Sequence, residues 1–327
     1  MNPDKYVLVI GGAGYIGSHM VRMLVDAGLP VVVLDDLSSG STGAVHSDVP
    51  LIIGDAGDQS LLDQVFEKYS VDAVMHFASF IQVGESVKQP AKYYKNNVSN
   101  TLSLLGCMAR HQVKCFIFSS TAAIFGNPVA TRISESHPTM PINPYGRSKF
   151  LVEQVLPDYE AAYGIRYACL RYFNAAGAQP DGAIGECHEP ETHLIPLAIN
   201  AALGRGPSLK IYGHDYPTAD GTCIRDYVHV CDIAAAHLSA LDHLRMQGPS
   251  LKLNLGNGEG YSVREVLDSV GRLAGKAVPY EFVARREGDP AVLVADAGNA
   301  KSVLSWTPRF PALDDIIAHA LAWHSSR

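Results

Sequence analysis

The sequence predicts an α/β protein built on a doubly wound parallel sheet, with a second, smaller mixed α/β domain beside it. Three observations lead there: short apolar runs that stop at glycine or polar residues, helix-spaced stretches between them, and a glycine-rich turn directly after the first run. Tyr6–Ile10 is a continuous apolar run ended by Gly11, the pattern of a strand buried on both faces. Residues 14–28 place Ile16, Met20, Met23, Leu24 and Ala27 on one stripe, which predicts a helix. The strand pattern repeats at 31–34, 51–53, 73–75 and 115–118, with helices expected over 60–69 and about 91–111. Asn143-Pro144 suits a helix start, Asn143 as N-cap and Pro144 in the first helical position, and a strand is expected after it over 167–172. Beyond Asn174 the texture changes. Residues 175–190 are rich in glycine, proline and small residues and predict a long loop, followed by a helix over 194–203, a strand over 251–255 and a helix over 262–273. The expected division is a dinucleotide-binding domain over 1–174 and a ligand-binding domain over 175–327, with a segment near 224–240 returning to the first. The cleft between them is the expected ligand site.

Composition narrows the function. With 327 residues, 47% of them hydrophobic, the chain supplies a sizeable core. Its formal charge of −7 and lack of basic runs argue against nucleic acid or an anionic membrane as partner. The six cysteines form no C-x-x-C pair and are expected as reduced thiols of a cytoplasmic protein. The apolar run near the start is too short for a signal-peptide core or a membrane span. Cys187, His188 and His193 cluster in the long loop, but their spacing matches no standard zinc pattern, so no metal site is expected.

Two motifs carry chemistry. Gly12-Ala-Gly14-Tyr-Ile-Gly17 follows the first strand and opens a helix; such glycines let the backbone approach a pyrophosphate at the positive end of the helix dipole. A glycine turn alone is also an ordinary structural turn. Here Asp35 ends the second strand, where a carboxylate binds the adenosine ribose hydroxyls and repels a 2′-phosphate, favouring NAD over NADP. Asp36 is its neighbour, and Asp55, after the third strand, can accept from an adenine amino group. The second motif is Tyr145 with Lys149. Of fifteen tyrosines, only Tyr145 has a lysine four positions on, so phenol and ammonium share a helix face. The neighbouring ammonium, together with the positive nicotinamide of NAD⁺, is expected to lower the phenol pKa and make it a base. Thr121, in Ser119-Ser120-Thr121, is expected at the carboxyl edge of the sheet, with its hydroxyl directed at the reacting oxygen. Arg225 and the pair Arg285-Arg286 are candidates for a diphosphate clamp.

These residues resemble the extended short-chain dehydrogenase/reductase family, and within it the UDP-hexose 4-epimerases. The resemblance runs through GGAGYIGSH, HFAS-IQVGES, NNVSNT, FIFSST, PYGRSK, LRYFNAAGA, THLIP, the diagnostic block over 211–230, NLGNGEGYSV and ARREGDP. It implies NAD as cofactor, a UDP-sugar as substrate, a homodimer, and inversion at C4 between UDP-glucose and UDP-galactose. It implies Tyr145 as general base and acid, Lys149 as its electrostatic partner, and Thr121 as the hydroxyl-holding residue. Cofactor contacts are implied at Gly11, Gly14, Tyr15, Ile16, Gly17, Asp35, Asp36, Asp55, Ala56, Phe77, Ala78, Asn96 and Phe173, besides Tyr145 and Lys149. Substrate contacts are implied at Asn174, His193, Leu194, Tyr212, Arg225, Tyr227, Arg286 and Asp289, besides Thr121 and Tyr145. Leu293 is implied beside the sugar's C2 substituent; packing in the smaller domain is its plainer reading. The chain departs from the common pattern at Thr121 (often Ser), Ile81 (often Lys) and His193 (often Asn). Ala122 and Ala123 stand where sugar dehydratases and decarboxylases of the family carry acidic groups, which argues against those reactions. A 4-epimerase of UDP-pentoses or UDP-N-acetylhexosamines is the nearest alternative, and an NAD-sensing protein without catalysis the distant one.

Overall fold

The computed structural model describes residues 5–286 and 289–327. The first four residues, and Glu287 and Gly288 of the ARREGDP stretch, lie outside the described residues. Strands β1 (Tyr6–Ile10), β2 (Val31–Asp35), β3 (Leu51–Ile53), β4 (Val71–His76), β5 (Cys115–Thr121) and β6 (Arg166–Tyr172) alternate with α1 (Tyr15–Asp26), α2 (Gln59–Lys68), α3 (Val83–Lys88), α4 (Pro90–Tyr94), α5 (Asn100–Arg110) and α6 (Pro144–Tyr163). The stretch expected as one helix over 91–111 is α4 and α5 joined by a π-helical turn at Lys95–Ser99. The strands form one parallel sheet that runs outward from β1 in both directions, through β2 to β3 and through β4 and β5 to β6. The gap between β1 and β4 is therefore the topological switch point, where a crevice opens at the strands' carboxyl ends.

Alternation along each strand explains why both faces are covered. Val7 and Val9 of β1 point into a core formed with α1, while Leu8 and Ile10 point into the opposite core with α2, α5 and α6. Asn143 caps α6 as expected, its side chain accepting from the Gly146 N–H at 2.8 Å, with Pro144 behind it.

The second half contains β7 (Asn174–Ala176), α7 (Leu194–Ala202), β8 (Leu209–Tyr212), β9 (Ile224–Arg225), β10 (Tyr227–His229), α8 (Val230–Arg245), β11 (Leu251–Leu255), β12 (Tyr261–Ser262), α9 (Val263–Ala274), β13 (Tyr280–Val283), β14 (Val292–Leu293), α10 (Gly298–Leu304) and α11 (Leu313–Ser325). One element departs from expectation. The strand over 251–255, expected in the smaller domain, is β11, which pairs in parallel with β6 as the seventh strand of the large sheet. The reason is burial: Leu253 and Leu255 join the β1 core face, together with Ile233, Leu241 and Leu244 of α8 and Leu304 of α10. Strands β7, β8 and β10 pack with α7, α9 and α11 in a separate core. Among the described residues, no helix is long and apolar enough to cross a membrane.

Candidate active site

The glycine turn sits at the switch point. Gly11 has φ +80°, and a Cβ there would strike the backbone nitrogen of Ala78, while one at Gly17 would strike the Gly11 carbonyl. Phe77 and Ala78 are held at the same spot, their N–H groups donating to the Ile10 carbonyl at 2.8 and 3.1 Å. Helix α1 starts at Tyr15 and Ile16 with Gly14 as N-cap; no side chain caps it and its first turn carries no acidic residue. The amide dipoles there are open to an anion, so the turn fits the pyrophosphate of a dinucleotide. Asp35 braces the turn: its Oδ2 accepts from Ala13 N–H at 2.9 Å and its Oδ1 from Leu37 N–H at 2.8 Å. A carboxylate has about four acceptor sites, so capacity for ribose hydroxyls remains. Asp36 is exposed and caps Ser38. Asp55 accepts from Gly57 N–H and the Asn100 amide, both at 2.7 Å and both on Oδ1, beside buried Ala56. Asn96 donates to Asn97, whose amide binds Phe80 and Ser148 and ties this wall to α6.

The sheet's carboxyl edge carries the set expected to be catalytic. Thr121 is the last residue of β5, and Tyr145 and Lys149 stand one turn apart on α6. Burial raises the Tyr145 pKa, and the Thr121 hydroxyl opposes that rise by hydrogen bonding to the phenol. The Thr121 Oγ1 also accepts from Ala123 N–H at 3.1 Å, capping the 3₁₀ turn that holds Ala122 and Ala123. Lys149 is almost fully enclosed; its Nζ donates to Ser79 Oγ at 2.6 Å and the Ser119 carbonyl at 2.7 Å. Burial lowers its pKa to about 7. The expected lowering joins this ammonium to the positive nicotinamide of NAD⁺; in the protein alone desolvation dominates at Tyr145, and the ammonium is held by Ser79 and Ser119.

Sequence reasoning missed what lies beneath. Glu153, one turn beyond Lys149, is fully buried and accepts from Arg171 Nε at 2.9 Å and Nη2 at 2.6 Å, and from Ser120 Oγ at 2.6 Å. One carboxylate thus joins β5, α6 and β6 under the reactive edge. The signal was present: a glutamate at the i+8 position from Tyr145, on the buried face of the helix.

The facing wall comes from the second half. Asn174 donates to the Asp226 carbonyl at 3.0 Å, and β7 pairs with β10. The Arg286 guanidinium lies 3.9 Å from the centre of the Tyr212 ring, and Arg225 pairs with Asp289. Arg285 is not in this group; it turns outward to Asp215, 2.6 Å away, and stacks on Tyr216. Tyr227 is buried among the side chains around α7 and α9. Leu293 pairs with Arg225 through β14 and β9 and packs, partly exposed, with Phe173 against Ala122, Ile124 and Phe125. His193 is the N-cap residue of α7 and Leu194 its first residue; the His193 ring meets the Glu186 carboxylate. His188 and Glu191 lie close to that carboxylate; the two glutamates interleaved with the two histidines are the sequence signal for this cluster.

Against known proteins, residues 7–256 match the model of the NAD dependent epimerase/dehydratase family. The chain is 51% identical over 318 residues to a UDP-glucose 4-epimerase of Halalkalibacterium halodurans, covering 97% of this chain and 95% of that protein. It superposes on the UDP-glucose 4-epimerase of Brucella ovis in complex with NAD with a TM-score of 0.94 at 49% identity, covering 97% and 98% of the two chains. The same TM-score, at 38% identity and 99% coverage of both chains, relates it to the UDP-glucose 4-epimerase of Bifidobacterium longum in complex with NAD⁺ and UDP. With the glycine turn, the Thr121–Tyr145–Lys149 edge and this full-length similarity together, the chain belongs to the NAD dependent epimerase/dehydratase family.

Proposed function

We propose that the protein interconverts UDP-glucose and UDP-galactose by inverting C4 of the sugar. The observation that carries this reading is the placement of Thr121, Tyr145 and Lys149 on the sheet edge beside the Gly11–Ala78 turn, with alanines at 122 and 123. The glycine turn from Gly11 to Gly17 and Asp35 would hold NAD, which would supply reversible hydride acceptance at C4. The protein's residues do the rest. Tyr145 removes the proton of the C4 hydroxyl and later gives it back. Thr121 holds the reacting oxygen, and the Lys149 charge favours the phenolate within a buried site. Ala122 and Ala123 offer no acid or base for elimination or decarboxylation, so the 4-keto sugar has re-reduction as its outlet. Arg225, Arg286 and Tyr212 suit the diphosphate and uridine, gripping the nucleotide while the hexose can turn.

The cysteines are all free thiols, four of them buried, which supports a reducing cytoplasmic setting. Exposed Val83 and Val87 on α3 and Leu151 on α6 support a homodimer through that face.

Two measurements test the activity. NAD should be released on denaturing the purified protein, and UDP-galactose should be converted to UDP-glucose without added NAD. Turnover that requires stoichiometric NAD⁺ and accumulates NADH would mean a net dehydrogenase and end this reading.

A further inference from the structure

In the loop between β7 and α7, four side chains within eight residues of one another, Glu186, His188, Glu191 and His193, converge. The Glu186 carboxylate is 4% exposed, and its Oε1 lies 3.0 Å from His188 Nδ1 and in contact with His193 Nδ1. Glu191 Oε1 is 3.8 Å from His193 Nδ1 and is fixed by the N–H groups of Thr192 and His193 at 2.6 and 2.8 Å. One donor atom from each of Glu186, His188, Glu191 and His193 lies within 4.8 Å of every other.

The surroundings hold these donors in place. The Trp323 indole donates to the Glu186 carbonyl at 2.8 Å, and the His188 ring packs edge-on to Tyr15 and to His193. Two more imidazoles, His19 and His324, feel the Glu186 charge, and in each the Nε2 is buried without a hydrogen-bond partner. No basic side chain neutralises the two carboxylates by a salt bridge other than the two histidines, among the described residues.

From this geometry we infer that Glu186, His188, Glu191 and His193 form a binding site for a late first-row divalent cation, zinc above all. Two imidazole nitrogens and two carboxylate oxygens are a ligand set that zinc accepts in tetrahedral geometry. With bonds of about 2.0–2.1 Å to nitrogen and oxygen, tetrahedral donors stand roughly 3.3 Å apart. The observed spacing brackets that value, so an ion fits with small rotamer adjustments in a surface loop. Magnesium prefers an octahedral all-oxygen shell and has no such shell here. The charges balance as well: one M²⁺ neutralises two carboxylates while both imidazoles bind in their neutral form. Because His188 packs on Tyr15, the first residue of α1, and His193 is the N-cap of α7, the ion would fix the loop between those two helix starts.

The test uses the full-length protein after chelator treatment. Zinc is titrated in by calorimetry, and cobalt(II) is added separately as a chromophore whose visible bands report tetrahedral coordination. The expected result is one ion per chain, intense cobalt bands, and no response to magnesium. His188→Ala, at a residue outside the proposed catalytic and substrate contacts, should weaken zinc binding by at least 10-fold. Glu186→Gln should weaken it further, and a matched circular dichroism melt of each variant establishes that it is folded. No saturable zinc binding, or binding that His188→Ala leaves unchanged in a folded protein, would overturn the site.

Discussion

The two walls of the cleft are built on different principles. On the sheet side, Thr121 ends a seven-residue strand and Tyr145 and Lys149 belong to a twenty-residue helix, with Glu153 and Arg171 locked beneath them. On the facing side, Arg225 and Leu293 sit on two-residue strands, Tyr212 ends a four-residue strand, and Arg286 and Asp289 lie in connecting chain. Groups that move protons need positions good to a fraction of an ångström, and long buried elements supply that. Groups that recognise a substrate tolerate looser supports, and short elements can change without disturbing the sheet. Under the proposed function, chemistry on the rigid wall and selectivity on the adaptable one is the division this contrast teaches.

The largest effect that would probe it is loss of the proposed base. Tyr145→Phe should retain UDP-sugar binding while turnover falls by roughly 10²–10⁴-fold, measured by steady-state kinetics and by UDP titration. Near-normal turnover would remove Tyr145 from its role. Lys149→Ala should also slow turnover and move the acidic limb of the rate profile to higher pH. The sign follows from burial: the phenol pKa is already raised, and losing a nearby cation raises it further. A profile that stayed in place would break the electrostatic link.

Next in size is the support under that wall. Glu153→Ala leaves Arg171 buried without its partner, which should cost about 3–5 kcal/mol of stability. Urea unfolding measures it; a loss comparable to an exposed salt bridge would show that the wall does not depend on this pair. Smaller again is the selectivity side. Leu293→Ala should recover UDP-N-acetylgalactosamine turnover while changing UDP-galactose turnover less. Crowding extra atoms into a filled pocket costs about 1–3 kcal/mol, which corresponds to roughly a 5- to 150-fold effect on kcat/KM. Equal kcat/KM for both sugars in the unaltered protein would refute the gate. The smallest expected effect is at the helix start, where Asn143→Ala should cost about 1 kcal/mol in the same urea assay.

The sequence was most readable where a local rule decides the outcome. Apolar runs ended by glycine located the first strands, and Asn143-Pro144 located the start of α6, because capping and burial act over a few residues. Long-range pairing was hidden. Nothing in Leu251–Leu255 distinguishes a strand that joins β6 from one that stays in the smaller half. The same holds for partners brought together only by folding. Ser79 meets Lys149 seventy residues away, and Arg171 meets Glu153 across two elements. The surroundings of Lys149 were hidden for a related reason: sequence spacing shows that a cation shares the helix face with Tyr145, but not which acceptors it will choose.

The return of α8, β11 and α10 to the sheet makes the two halves topologically interleaved. The polypeptide leaves the sheet after β6, re-enters through α8 and β11, and comes back a final time as α10. Neither half is therefore a detachable module. A chain ended after β6 would lack its outer strand and would bare the core face that Ile233, Leu241 and Leu244 cover. Limited proteolysis should accordingly yield no sheet fragment that survives alone, and heating should melt both halves in one transition. A ligand that bridges the cleft then stabilises the whole chain at once, so occupancy of the site and protease resistance of distant surface loops become a single property.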